Sequence, residues 1–410
     1  MEGKFKDMKT FFRFVSFFLV LILIFSCGKT KDVEKRINDL IKAKDYENAL
    51  SLINEKIKEE PSNKKYRFLK LKIQARSGNT DMAYDEFQKY YALTNKIEKE
   101  VLKELIISSL TSFIAPYKFT SLINLSEIKE VDEDLRKYVL DALNDKDDTV
   151  KVGTLWCVGR LKIKEAENRV AELTSHRNPS IIFNSLWALG EIKGEKAKEF
   201  LTNFLNNPKD ETFLPEAIIS LGKLGDKSAI PLIKRYTNST NKKISVSALT
   251  VTEFLEKGKI TDVYNFYLSR KDEEALSFLY LIAGELKVKD FNSILVSSLK
   301  VKTNDSKERL IRAIAELGEK SSIELIKPFL KSEDSGERTQ SYYALYKLVS
   351  DDKSIYLEGI KDKLPEVRRF SYLGLGRIND KETRGLLASK LLSTNIYDKI
   401  VITYSLYQAE

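Results

Sequence analysis

His176 is the only histidine in a chain of 410 residues. Its isolation excludes a Ser-His-Asp triad and a His-rich metal site, and removes the commonest general base. No P-loop, dinucleotide fingerprint or cysteine pair at zinc spacing occurs. The acidic run Asn144-Asp145-Lys146-Asp147-Asp148 lacks the glycine and the distant glutamate of a calcium loop, and is expected to cap the helix after it. No catalytic residue, metal or cofactor is therefore expected, and His176 is read as an exposed residue near a helix end, where a cation complements the dipole. Cysteine is nearly absent too. Cys27 and Cys157 are the only two, too few for a disulfide framework, and Cys157 falls in an apolar helical run where a buried, inert thiol is expected. Long apolar runs are missing except for Phe14 to Phe25, 12 residues broken only by Ser16. A spanning helix needs about 20.

Charge of one sign is also scarce where a nucleic-acid groove would need it. The formal net charge is +9, yet residues 77–410 hold 51 basic against 50 acidic side chains. Residues 29–76 carry 14 Lys plus Arg against 8 Asp plus Glu. The excess thus sits near the N-terminus. There it suits either a membrane surface, at about 1 kcal/mol per juxtamembrane cation, or a solvated helix face.

What the sequence does contain is a pattern recurring every 30 to 32 residues. Its anchors are Gly159, Gly190, Gly222, Glu253, Gly284, Ala315, Tyr346, Gly376 and Tyr407. Two residues after every anchor stands an apolar residue, from Leu161 and Ile192 to Ile378 and Ala409, and the residue before is apolar in all copies but that of Thr252. An apolar run of period 3.6 leads to each anchor, a Gly-, Asp- or Lys-rich turn follows, and a second amphipathic run closes the unit. Pro179, Pro215 and Pro365 fall where first helical turns are expected. A hairpin of this size cannot cover its own apolar face, so copies must stack around one core: an all-α fold, an α-solenoid. Trp156 and Trp187, 31 residues apart at equivalent positions, are read as packing between repeats. The ninth copy stops before its second helix, so Ile400, Ile402, Tyr404, Leu406 and Tyr407 are expected at a thinly covered end.

These units resemble the HEAT-like repeats of bacterial proteins, in which an acidic residue and Val-Arg precede Ala-Leu-Gly. Asp148-Thr149-Val150-Lys151 and Glu366-Val367-Arg368 look like the first half, and Ala188-Leu189-Gly190 and Leu221-Gly222 like the second. Copies anchored at Glu253, Gly284 and Tyr346 depart by lacking the Val-Arg pair that an acid-to-arginine ladder uses. The resemblance covers about residues 145–410. It implies a superhelix with a binding role, its concave face lined by the second helix of each unit. On that implication Lys234, Arg235, Tyr236, Tyr264, Tyr267 and Arg270 are candidate partner contacts. The alternative is dipole complementation by the basic residues and half-buried packing of the tyrosines. The tyrosines from Tyr342 to Tyr407 are a second candidate surface, though several fall in core columns.

Residues 1–26 read as a secretory signal, with Lys4, Lys6, Lys9 and Arg13 ahead of the apolar run. Met8 would serve as well as Met1 for its start. The run ends Ile24-Phe25-Ser26-Cys27-Gly28, which resembles the lipobox of bacterial lipoproteins, with Phe25 departing from the small residue usual there. The resemblance implies cleavage after Ser26, acylation of Cys27, and, with Gly28 giving no inner-membrane retention, an outer-membrane, periplasm-facing address. Residues 27–32 would then be a lipidated linker. An uncleaved anchor helix is the alternative.

Between linker and array, residues 33–99 resemble tetratricopeptide hairpins. Tyr46-Glu47-Asn48-Ala49-Leu50 is echoed by Thr80-Asp81-Met82-Ala83-Tyr84 at a spacing of 34, with Pro61 and Gly78 at the turns. Residues 100–144 read as connecting helices. Together these expectations describe a lipid-anchored envelope scaffold that binds protein partners and catalyses nothing, with no nucleic acid and no small-molecule substrate. The alternatives of other classes are a HEAT-like enzyme such as a bilin lyase, and a nucleic-acid binder.

Overall fold

Short polar residues set where the helices begin. Asp45, Asn63, Asp132, Asp147, Asn178, Asn241, Asp272, Asp334 and Asn395 each accept a hydrogen bond from a backbone N–H in the first turn that follows, at about 1 kcal/mol per cap. The acidic run works this way: Asp147 accepts from Thr149 N at 2.8 Å, and Asp145 pairs with Lys118 at 2.5 Å. The computed structural model describes residues 32–208, 210–301 and 304–409, and no strand occurs among them. The expected signal, Ser26 and Cys27 lie outside the described residues. No helix among the described residues is long and apolar enough to cross a membrane.

Two compact units result, one up to Phe113 and one from Ile114 onward. The segment 100–144 is thereby divided between them. The first unit contains α1 (32–42), α2 (Tyr46–Glu59), α3 (Lys64–Arg76), α4 (Thr80–Thr94) and α5 (Lys99–Leu110). Ile37, Ala49, Ile53, Tyr66, Leu69 and Ile73 form its core, and Ala49 and Ala83 are both fully buried. Gly78, at φ +83, sits where a Cβ would meet Thr111 O at 2.7 Å, so the α3–α4 turn needs glycine for backbone angle and space alike. Part of the basic excess turns inward here. Arg67 and Lys70 approach Glu86 at 3.0 and 3.7 Å, and Arg76 grips Glu104 at 2.9 Å, so these cations are not free to face a surface.

The second unit alternates longer and shorter helices. It opens with α6 (Ala115–Leu125), α7 (Glu133–Ala142), α8 (Asp148–Leu161), α9 (Glu167–Leu173), α10 (Pro179–Ile192) and α11 (Ala197–Asn206). Then come α12 (Leu214–Leu224), α13 (Ile230–Lys234), α14 (Lys242–Lys257), α15 (Thr261–Ser269), α16 (Glu273–Glu285) and α17 (Asn292–Val301). It ends with α18 (Asn304–Leu317), α19 (Ile323–Ile326), α20 (Ser335–Lys347), α21 (Lys353–Gly359), α22 (Pro365–Ile378), α23 (Lys381–Ser393) and α24 (Ile396–Tyr407). All nine anchors fall near the C-terminal ends of even-numbered helices, α8 to α24. This is the expected all-α solenoid of stacked helical hairpins.

Each even helix packs against the next even helix, and α24 packs against α6. The array therefore closes on itself. Ile400, Ile402 and Tyr404 are fully buried, and Leu406 and Tyr407 nearly so, which corrects the expectation of a thinly covered end. The seam is polar at its centre: Arg369 donates to Asn124 Oδ1 at 3.0 Å and to Ile123 O at 2.6 Å, and pairs with Glu127 at 3.7 Å.

The small anchors explain why even helices form the inner wall. A Cβ on Gly376 would lie 2.5 Å from Ser405 O and 2.9 Å from its Cα, so α22 and α24 meet backbone to backbone. The odd helices take the outside, which reverses the expected placement of second helices on the inner face. An acid-to-cation ladder joins neighbouring repeats, and it passes through copies that lack Val-Arg. Arg338 reaches Asp362 at 2.9 Å, Lys242 reaches Asp272 at 3.1 Å, and Arg368 reaches Asp398 at 3.1 Å.

Candidate functional site

One position after the anchor, the copies carry Arg160, Glu191, Lys223, Phe254, Glu285, Glu316, Lys347, Arg377 and Gln408. Seven of nine are charged, in a column flanked by two apolar ones, and the inner helices point these groups at one another. Lys223 on α12 reaches Glu285 on α16 at 2.5 Å and Glu191 on α10 at 3.0 Å. Arg160 on α8 reaches Glu316 on α18 at 3.8 Å. Since α18 lies five even helices on from α8, side chains meet across the ring at the level of this column. This column was not singled out from the sequence, although the spacing already used for its apolar neighbours marks it.

Aromatic rings brace the charges. Trp156 and Trp187 stack with centroids 4.5 Å apart at 9°, the packing between repeats expected of them. Trp187 Nε1 donates to Glu285 at 3.3 Å, while Tyr343 Oη donates to Glu316. Arg377 lies 3.7 Å over the Tyr346 ring.

Burial reshapes the ionisation here. Glu216, 7% exposed, has its pKa pushed up to about 7 by burial, against the pull of Lys223. Burial also opposes the charge on Lys223, but Glu285, Glu216 and Glu191 hold its ammonium above the ordinary lysine range. Lys347 is displaced the other way, by burial first and Arg160 next. Burial raises the Cys157 thiol well above its usual value, as an inert core cysteine requires. His176 is half-buried rather than exposed: its Nδ1 accepts from Asn178 N at 3.1 Å, and its Nε2 lies 3.8 Å from Asp148. No cluster of three metal-ligating side chains exists among the described residues.

Above the charged column a cavity of about 270 Å³ opens between α6, α8, α10, α18, α20 and α22. Phe119, Trp156, Tyr343 and Phe370 wall it, with Arg312, Arg369, Gln340 and Asn184 among its polar lining.

The six candidate contacts lie elsewhere, on or just after the outer helices α13 and α15. Lys234 pairs with Glu256 at 2.7 Å and borders an outer groove of about 450 Å³ that also includes Leu249, Asp262 and Phe266. Arg270 stacks 3.6 Å from the Phe266 ring, and Phe266 and Leu268 are 43% and 47% exposed. Arg235 donates to Asn206 at 3.0 Å, and Tyr236 Oη to Leu205 O at 2.5 Å. Tyr264 packs edge-on against Phe291, and Tyr267 is buried. The structure thus brings Lys234 and Arg270 to the groove region and turns the tyrosines into packing. In the C-terminal group, Tyr342, Tyr343, Tyr346, Tyr372, Tyr404 and Tyr407 are all buried.

Comparison with known proteins agrees at the level of the repeat. Residues 137–217 match the HEAT-repeat family, and no curated protein matches the chain significantly. Similar solved structures include human deoxyhypusine hydroxylase in complex with glycerol, at 14% identity and a TM-score of 0.32, covering 71% of this chain and 99% of that one. Importin beta shows 11% identity and a TM-score of 0.33, covering 87% and 66%. The CpcE and CpcF complex of phycocyanin lyase from a Nostoc species shows 16% identity and a TM-score of 0.24, covering 67% and 94%.

Proposed function

We propose that this chain is a lipid-anchored scaffold of a bacterial envelope, held at the outer membrane facing the periplasm, which binds protein partners without catalysis. The carrying observation is Ser26-Cys27 directly behind a basic segment and a 12-residue apolar run. That arrangement serves a cleaved and acylated leader better than a spanning helix. Two or more acyl chains, at about 0.8 kcal/mol per buried methylene, anchor firmly.

In this reading the first unit is a pair of tetratricopeptide-like hairpins, supported by the burial of Ala49 and Ala83 at equivalent positions. Because ion pairs cross the ring and leave inside it only a cavity of small-molecule size, protein partners dock on the outer helices. The groove beside Phe266, with Arg270 stacked on an exposed ring, has the aromatic and arginine chemistry that protein interfaces favour. Near-neutral residues 77–410 argue against nucleic acid.

Expression of the full chain with Cys27→Ala in a diderm bacterium, followed by fractionation and labelled-palmitate incorporation, tests the anchor. The variant is expected to lose the label and either leave the membrane fraction or accumulate unprocessed. Unchanged label and fractionation would overturn the reading.

A further inference from the structure

The cavity inside the ring has more cations than carboxylates to match them. Glu127, at its wall, is paired with Arg369. Glu316, beneath it, is shared by Arg160 and Tyr343. Glu285, which feels the charge of Arg312, is held by Lys223 and Trp187. Arg312 itself is half-buried in the cavity lining. Among the described residues no carboxylate lies within ion-pair distance of it and none accepts a hydrogen bond from it. Lys347 adds a second interior cation without an ion pair among the described residues, its charge disfavoured by burial and by Arg160.

A guanidinium half withdrawn from water without a paired counter-charge carries a cost, and its planar fork matches a carboxylate in two parallel hydrogen bonds. The walls state the rest of the ligand. Four aromatic rings from four helices, Phe119, Trp156, Tyr343 and Phe370, favour a flat apolar body in stacked or edge-on contact. A cavity of about 150 Å³ already admits benzene, so about 270 Å³ leaves room for one ring and a short acidic arm. Gln340 Oε1, buried in the same wall, has no hydrogen-bond donor among the described residues. It can accept from a hydroxyl or amine on that ring.

We propose that the ring interior binds a small aromatic carboxylate, its acid on Arg312 and its ring between Trp156 and the facing Phe and Tyr side chains. The ligand is held and not transformed. The proposal is independent of Cys27 and of the outer groove, since neither contributes a residue to the cavity.

The chain has only two tryptophans, and both belong to the stack that lines or adjoins the cavity, so intrinsic emission excited at the red edge reports on this site alone. The purified full chain would be titrated with phenylacetate and, as a neutral isostere, phenylacetamide. A saturable change with phenylacetate at about millimolar affinity or tighter is expected, with the amide about tenfold weaker. Arg312→Gln should weaken phenylacetate about tenfold and remove the preference for acid over amide, leaving the unliganded emission spectrum unchanged. 4-Hydroxyphenylacetate should bind more tightly than phenylacetate in wild type and lose that gain in Gln340→Leu. No saturable change, equal binding of acid and amide by wild type, or undiminished affinity in a folded Arg312→Gln would each overturn the proposal. The wild-type comparison of acid and amide decides the matter even if a variant fails to fold.

Discussion

Ser121 Oγ and Tyr404 Oη lie 2.5 Å apart although 283 residues separate them. The contact joins the first inner helix of the second unit to the last, and Tyr117 packs edge-on against Tyr397 in the same seam, centroids 5.3 Å apart. An array built from local hairpins thereby acquires long-range contacts that no pair of neighbouring repeats supplies.

The seam should be a measurable part of stability. Tyr404→Phe removes one hydroxyl and is expected to cost about 1 kcal/mol. Arg369→Ala strips Glu127 of its partner inside the ring and should cost about 3 kcal/mol or more. Urea denaturation followed by circular dichroism checks both. Equal, negligible losses would mean that the seam does not hold the ring closed.

Glu216 predicts a pH dependence of definite sign. Its folded pKa, about 7, lies above the ordinary glutamate value, so the folded state favours the protonated acid. The stability this group contributes is fully present below about pH 4.5 and is lost as pH rises through about 7. Glu216→Gln should therefore match wild type at pH 4 and exceed it by about 3 kcal/mol at pH 8. Parallel denaturation curves of the two proteins across that range provide the check, and a constant difference would count against it.

Two glycines should respond in opposite directions to the same change. Gly376→Ala drives a methyl into the backbone at Ser405 and is expected to destabilise by about 1–3 kcal/mol. Gly385, inside α23, has nothing within 4 Å of its would-be Cβ, so Gly385→Ala should stabilise by about 0.5–1 kcal/mol through helix propensity. Thermal midpoints of the two variants test the contrast.

Cys157 should resist modification. Its thiol is fully buried and burial raises its pKa, which leaves little thiolate to react. Iodoacetamide should label this position only after denaturant is added. Rapid labelling of the native protein at Cys157, read by mass spectrometry, would contradict the described packing.

Sequence and structure agree wherever period carried the information. The apolar columns around Gly159 to Tyr407 occupy the inner helices as their spacing requires, and Pro179, Pro215 and Pro365 stand in first helical turns. Two things did not show. The positions 30 to 32 residues before Gly159 fall in the loop after α6, so a tenth inner helix is present without belonging to the count. Closure depends on the small rotation between successive hairpins, which accumulates over the whole array and is written in no single copy. The interior charges went unnoticed for a different reason: Arg160, Glu316 and Lys223 look like solvated helix-end residues until the opposite wall is known. The candidate contacts followed from assigning second helices to the inner face, and the glycine crossings give that face to the first helices instead.

Joining α24 to α6 fixes the number of members in the circle. An open solenoid gains or loses a hairpin at little consequence beyond its length, since each copy answers only to its neighbours. Here, deleting or duplicating one hairpin would misalign Arg369 with Asn124 and part Arg160 from Glu316 at once, so the gene segment for this region is constrained to vary by substitution and loop length rather than by whole-unit expansion.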